Sequence, residues 1–156
     1  MESKFNYKNF SIVIPIYNEE EIIEESTNAI FALCNRTGLN FEIILSENGS
    51  TDNTKKMAEG LAKKYPEIKI VSNSDPNYGN ALKAGFELAT NDLVISFDID
   101  YYSESFLHEA LMLDKQYSSI TASKRMVSSE DPSLLEAVIE EYLLSSIKAS
   151  RKKDSE

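Results

Sequence analysis

The chain alternates between short apolar runs and longer segments in which apolar residues recur every three or four positions. Phe10 to Tyr17 (FSIVIPIY) is apolar and rich in β-branched residues, the composition of a buried strand. Asn18 then opens NEEE, which predicts a helix start with Asn18 as cap, Glu21 three residues on and acids at the positive end of the helix dipole. Ile22, Ile23, Ser26, Ile30, Leu33 and Cys34 follow at helical spacing, and Thr37-Gly38 ends the helix. Phe41 to Glu47 predicts a second strand. Asn48-Gly49-Ser50-Thr51-Asp52 predicts a turn into a helix with Met57, Ala58, Leu61 and Tyr65 on one face, stopped by Pro66.

The alternation continues. Ile68 to Val71 predicts a third strand, SNSDPNYG a loop in which Gly79 permits a turn, and Asn80 to Ala89 a short helix with Ala81, Leu82, Gly85 and Phe86 inward. Asp92 to Phe97 predicts the fourth strand. Ser103 caps a helix carrying Phe106, Leu107, Ala110, Leu111 and Leu113, with His108 out of phase and exposed. Ser119 to Ser123 predicts a fifth, weaker strand, and Asp131-Pro132-Ser133 opens a last helix over Leu134 to Ala149. Strand and helix in strict alternation imply an α/β fold, a mostly parallel Rossmann-like sheet with helices on both faces. Residues 1–150 are expected to form one domain and 151–156 a charged tail.

In such sheets ligands bind beyond the carboxyl ends of the strands. Those ends carry Pro15, Tyr17, Asn18 and Glu19; Glu47, Asn48, Gly49, Ser50 and Asp52; Asp75, Asn77, Tyr78, Gly79 and Lys83; Asp98 and Asp100; Lys124 and Arg125. Helix capping is the ordinary explanation for Ser50, Thr51 and Asp52. The aspartates are less ordinary. Residues two apart on a strand point the same way. If strand geometry lasts through Asp100, the two carboxylates stand roughly 6–7 Å apart at the backbone. Their repulsion is then about 3 kcal/mol at an effective dielectric near 20. A hard cation between them, magnesium or manganese, turns that repulsion into attraction. The alternative is two acids screened by solvent at an open strand end.

Composition narrows the partners. The 156 residues carry a net charge of −10, which argues against nucleic acid as a partner. An anionic small ligand stays open if a cation or backbone N–H groups receive it. The single cysteine, Cys34, excludes an internal disulfide framework and fits a reducing compartment. No apolar run reaches the roughly 18 residues of a membrane span, and MESKFNYKNF lacks the apolar stretch of a signal peptide, so a cytoplasmic protein is expected.

Three segments in order, SIVIPIYNEEE, FEIILSENGSTDNT and NYGNALKAGFELATNDLVISFDID, resemble the family 2 glycosyltransferases of GT-A fold. The likeness extends over roughly residues 10 to 125 and is greatest to the dolichyl- or polyprenyl-phosphate sugar transferase branch. Glu47-Asn48 stands where that family usually has two aspartates, and Tyr102 where the branch often has glutamine. The resemblance implies a transferase that moves a sugar from a nucleotide-diphosphate donor to an acceptor such as a polyprenyl phosphate, with Mg2+ or Mn2+ as cofactor. It also implies roles. Pro15, Tyr17 and Glu19 would line the nucleotide pocket, Glu47 would bond the base or ribose, and Lys83 and Arg125 would lie near the donor. Asp98 and Asp100 match the Asp-x-Asp motif, one holding ribose or metal and the other the metal at the diphosphate.

Two other readings remain open at this stage. One is a non-catalytic nucleotide-sugar-binding or scaffolding module of the same fold. The other is a receiver-type signalling domain with magnesium-binding acids, which the long NGSTDNT turn fits poorly. The last helix, with Leu135, Val138, Ile139, Tyr142, Leu143 and Ile147 on one face and Arg151, Lys152 and Lys153 after it, reads either as a core or homo-oligomer face or as a helix resting on anionic lipid. The second reading makes the protein peripheral to the membrane.

Overall fold

The sheet is parallel throughout and its order, β3-β2-β1-β4-β5, puts the first strand at its centre. The computed structural model describes residues 4–113 and 119–121. Its elements are β1 (Asn9–Ile16), α1 (Ile23–Arg36), β2 (Asn40–Glu47), α2 (Thr54–Lys64), β3 (Ile68–Ser72), α3 (Tyr78–Leu88), β4 (Val94–Ser96), α4 (Glu104–Met112) and β5 (Ser119–Thr121). The helix predicted over residues 134–149 and the charged tail lie outside the described residues.

The apolar run of β1 is what a strand covered on both faces requires. Phe10, Ile12, Ile14 and Ile16 are buried on one face. Register places Ile43 of β2 and Ile95 of β4 beside Ile12, so these side chains share that face. Helices α1 and α2 supply Ile23, Ile30, Leu33, Cys34, Ala58 and Leu61 to the same core, and α4 adds Leu107, Ala110 and Leu111. Helix α3 covers the opposite face, against β1 and β2. It comes so close that a Cβ on Gly85 would overlap Cγ1 of Val13. The Ser46 hydroxyl donates to the Ala81 carbonyl across the same contact.

The strands and the faces of the helices match the sequence pattern, while several helix starts depart from it. Helix α1 begins at Ile23, and its first turn has no side-chain cap. Asn18 adopts φ 52°, the left-handed region, and its side chain bonds elsewhere. Gly79 makes no turn. It lies in the first turn of α3, which Asn77 caps by accepting from the Asn80 N–H. Ser103 caps α4 as expected, accepting from the Phe106 N–H. His108 is half-buried rather than exposed, because its ring stands edge-on to Phe5 at 5.3 Å.

Strands β1, β2 and β3 follow one another outward, after which the chain returns to lay β4 against the free side of β1. This reversal opens a crevice at the carboxyl ends of β1 and β4, the place where doubly wound sheets receive ligands.

Candidate functional site

The crevice is built by loops that bond to one another as well as to the helices that follow them. Asn18, left-handed as only a few L-residues tolerate, turns the chain at the end of β1. Its Oδ1 accepts from the Thr51 N–H at 2.8 Å, and its own N–H donates to Ser50 Oγ at 3.0 Å. Glu19 N–H donates to Thr54 Oγ1 at 2.7 Å. Glu20 accepts from both the backbone and the side chain of Asn53. The NEEE and NGSTDNT segments thus clasp each other, and Asn18 bonds across to Thr51 in place of the helix cap that its sequence pattern predicted. Asp52 does serve the start of α2, accepting from the Thr54 N–H at 2.9 Å. Burial would raise its pKa, but the Thr54 and Glu20 hydrogen bonds outweigh that and lower it.

The next loop is fixed just as tightly. Gly49 has φ 74°, and a Cβ there would sit 2.9 Å from the Ser74 carbonyl oxygen. Asn48 is buried, and its Oδ1 accepts from the Asn77 N–H at 2.9 Å, tying the end of β2 to the start of α3. From that start Tyr78 donates its hydroxyl to Asp98 Oδ1 at 2.8 Å.

The aspartates are not held as a strand would hold them. Strand β4 ends at Ser96. Asp98 to Tyr101 is a turn, closed by the Tyr101 N–H on the Asp98 carbonyl at 3.0 Å, with Asp98 bridged to Tyr101. The premise of two carboxylates on one side of an extended strand therefore fails, and so does the repulsion calculated from it. The pairing of β4 with β1 runs only to Ser96, and beyond it the backbone closes on itself; Ile99 stays in the core cluster, with Asp98 half-buried and Asp100 exposed.

Both acids nevertheless face one cleft of about 340 Å3, lined by Pro15, Ile16, Tyr17, Glu19, Asn48, Tyr78, Asp98, Ile99 and Asp100. Five residues singled out in the sequence, Pro15, Tyr17, Glu19, Asp98 and Asp100, meet there. The others do not line it. Glu47 is buried, its Oε1 accepting from the Ser50 N–H. Lys83 is exposed on α3, 3.9 Å from Glu87, beside a separate shallow depression. Arg125 lies outside the described residues. Asn48 and Tyr78 line the cleft too, and the sequence signal for Tyr78 is an aromatic at the start of α3 with no place in that helix's apolar stripe.

The donor set fits a hard cation that keeps open positions. Among the described residues no group of three or more His, Cys, Asp or Glu is placed to enclose a metal ion. Two carboxylates at a cleft wall suit magnesium or manganese, which take one or two carboxylates and leave the remaining positions to water and phosphate oxygens.

Comparison with known proteins agrees with this architecture. Residues 11–153 match the profile of the family described as Glycosyl transferase family 2. The undecaprenyl-phosphate 4-deoxy-4-formamido-L-arabinose transferase of Proteus mirabilis is 39% identical over 92 residues, 58% of this chain and 28% of its own length. The transferase of the same name from Shewanella sediminis is 32% identical over 129 residues, 80% of this chain and 39% of its own length. The chain thus spans between about a quarter and two fifths of the length of these relatives. Among solved structures, the mannosyltransferase PcManGT of Pyrobaculum calidifontis, in complex with GDP-Man and Mn2+, superposes with TM-score 0.61 at 21% identity over 79% of this chain and 38% of its own. S. aureus TarS 1-349 superposes with TM-score 0.52 at 25% identity over 65% of this chain and 31% of its own. The fold is of GT-A type.

Proposed function

The chain belongs to glycosyl transferase family 2, and on that premise we propose that its β1–β4 cleft binds a nucleotide-diphosphate sugar whose sugar is passed to a polyprenyl phosphate. The observation that carries the reading is the convergence of Pro15, Tyr17 and Glu19 from the end of β1 with Asp98 and Asp100 from the turn after β4. Segments some eighty residues apart in sequence place an aromatic ring and three carboxylates around one opening.

Each part has a chemical use. The Tyr17 ring, 42% exposed, offers a flat apolar face to a nucleotide base. Glu19 can accept from base or ribose donors. A divalent cation held by Asp98 and Asp100 would neutralise the charge that grows on the diphosphate as it leaves. Such a cation also explains how a chain of net charge −10 receives an anion. The acceptor is proposed from the relatives, whose names specify undecaprenyl phosphate. A phosphate monoester has a second pKa near 6 and arrives largely ionised, so attack by its oxygen needs no general base.

The test is a panel of UDP-, GDP-, CDP- and TDP-sugars, with and without Mn2+, read first by thermal shift and then by transfer of labelled sugar to a polyprenyl phosphate in detergent. The expected result is a cation-dependent rise in melting temperature for one nucleotide class, followed by labelled lipid product. If no donor raises the melting temperature with Mn2+ or Mg2+ present, the cleft is not a donor site.

A further inference from the structure

Resting on the donor-site reading of the same cleft, we infer that Tyr78 is a positioning residue, whose phenol holds the Asp98 carboxylate ready for the cation and the donor. The hydroxyl donates to Asp98 Oδ1 at 2.8 Å, and the two residues come from different elements, twenty positions apart. An ionised carboxylate has about four acceptor positions, so a hydrogen bond to one oxygen can orient it without occupying the whole group.

Tyr78 stands where it can serve the cleft. Helix α3 packs through Ala81 and Gly85, while Tyr78 is 51% exposed at the cleft wall. Its location is also fixed from behind. The buried Asn48 receives the Asn77 N–H, and Asn77 caps the first turn of α3, so the phenol is delivered from a rigid helix start.

The chemical type of the donor matters. A lysine or arginine at this point would steady the carboxylate by neutralising it and would compete with the cation. A neutral phenol fixes the carboxylate and keeps its charge available. That combination suits a carboxylate that must receive a cation.

The test measures Mn2+ affinity by electron paramagnetic resonance in the presence of whichever of UDP, GDP, CDP or TDP binds wild type. It compares wild type, Tyr78→Phe and Tyr78→Ala. Loss of one hydrogen bond to a charged group is expected to weaken Mn2+ binding about tenfold in both variants. Binding of the nucleotide without metal, and the ligand-free melting temperature, should change little in Tyr78→Phe. Retention of wild-type Mn2+ affinity by Tyr78→Phe overturns the inference while leaving the donor site standing. So does an equal loss of metal-free nucleotide binding, which would assign the effect to the cleft wall as a whole. If none of the four nucleotides binds wild type with Mn2+, the donor-site reading fails and the inference with it.

Discussion

Gly85 of α3 lies so close to Val13 of β1 that no side chain fits between them. This contact lets α3 lie flat on the sheet and so sets where its first turn, with Tyr78, meets the end of β4. Gly85→Ala is expected to destabilise the fold by about 1–3 kcal/mol, the usual range for overpacking a filled interior. Adding Val13→Ala should recover part of that loss, because it removes the atoms that clash. Denaturant unfolding of the two single variants and the double variant reads the coupling.

Asp100 is exposed and its neighbour Asp98 half-buried. Asp100→Asn should therefore leave the ligand-free protein within about 0.5 kcal/mol of wild type, as expected of a surface change. The same variant should lose the Mn2+-dependent part of nucleotide-sugar stabilisation. A thermal-shift titration with and without Mn2+ separates the two effects, and undiminished Mn2+ dependence would remove Asp100 from the cation site.

Glu42 sits at the far end of the sheet from the cleft. Its carboxylate accepts from Ser11 Oγ and from the N–H and hydroxyl of Thr90, and pairs with Lys69 at 2.6 Å. Burial alone would raise its pKa, but the bonds from Lys69, Ser11 and Thr90 win and hold it at about 2, against an ordinary value of 4.5. A carboxyl depressed in the folded state stabilises fully above the unfolded value. That contribution is lost as pH falls from about 4.5 towards 2. It amounts to about 3 kcal/mol at neutral pH. Glu42→Gln should lower stability at pH 7 and flatten the decline between these pH values. An acid-unfolding limb as steep as wild type would contradict the assignment.

Cys34 is fully buried in α1, and burial pushes its thiol up to about 12. Only the thiolate is nucleophilic, so the folded protein should resist a chromogenic disulfide reagent at pH 8 and react at once in denaturant. Rapid labelling under native conditions would mean that α1 opens readily.

Much of the architecture was legible along the chain. The apolar runs of β1, β2 and β3 were bounded to within about a residue, because strands of a covered parallel sheet read as near-continuous apolar runs bounded by polar and turn residues. The inward residues of α1 and α2 were legible because helical period and burial coincide. Helix beginnings were less so. Asn18 and Glu21 carry the capping pattern, yet Asn18 spends its side chain on Thr51, a partner 33 positions away that no local rule names. The same limitation misplaced the geometry of the aspartates. Strand period predicted a common side for Asp98 and Asp100, while the chain leaves the strand at Ser96 and closes a turn from Asp98 to Tyr101 that no local rule marks.

The sequence by itself determined the alternation of strand and helix, the apolar faces, and the carboxylates, tyrosine and proline at the strand ends. These are local properties, set by side-chain volume, polarity and period. Tertiary structure decided which strand ends became neighbours. Returning β4 to the free side of β1 gathered Pro15, Tyr17, Glu19, Asp98 and Asp100, and added Asn48 and Tyr78 to them. It also turned Glu47 inward and left Lys83 on an exposed helix face. The physical reason is that proximity across a sheet is fixed by strand order and by loop-to-loop hydrogen bonds. Both act between residues far apart in sequence, where neither period nor composition carries a signal.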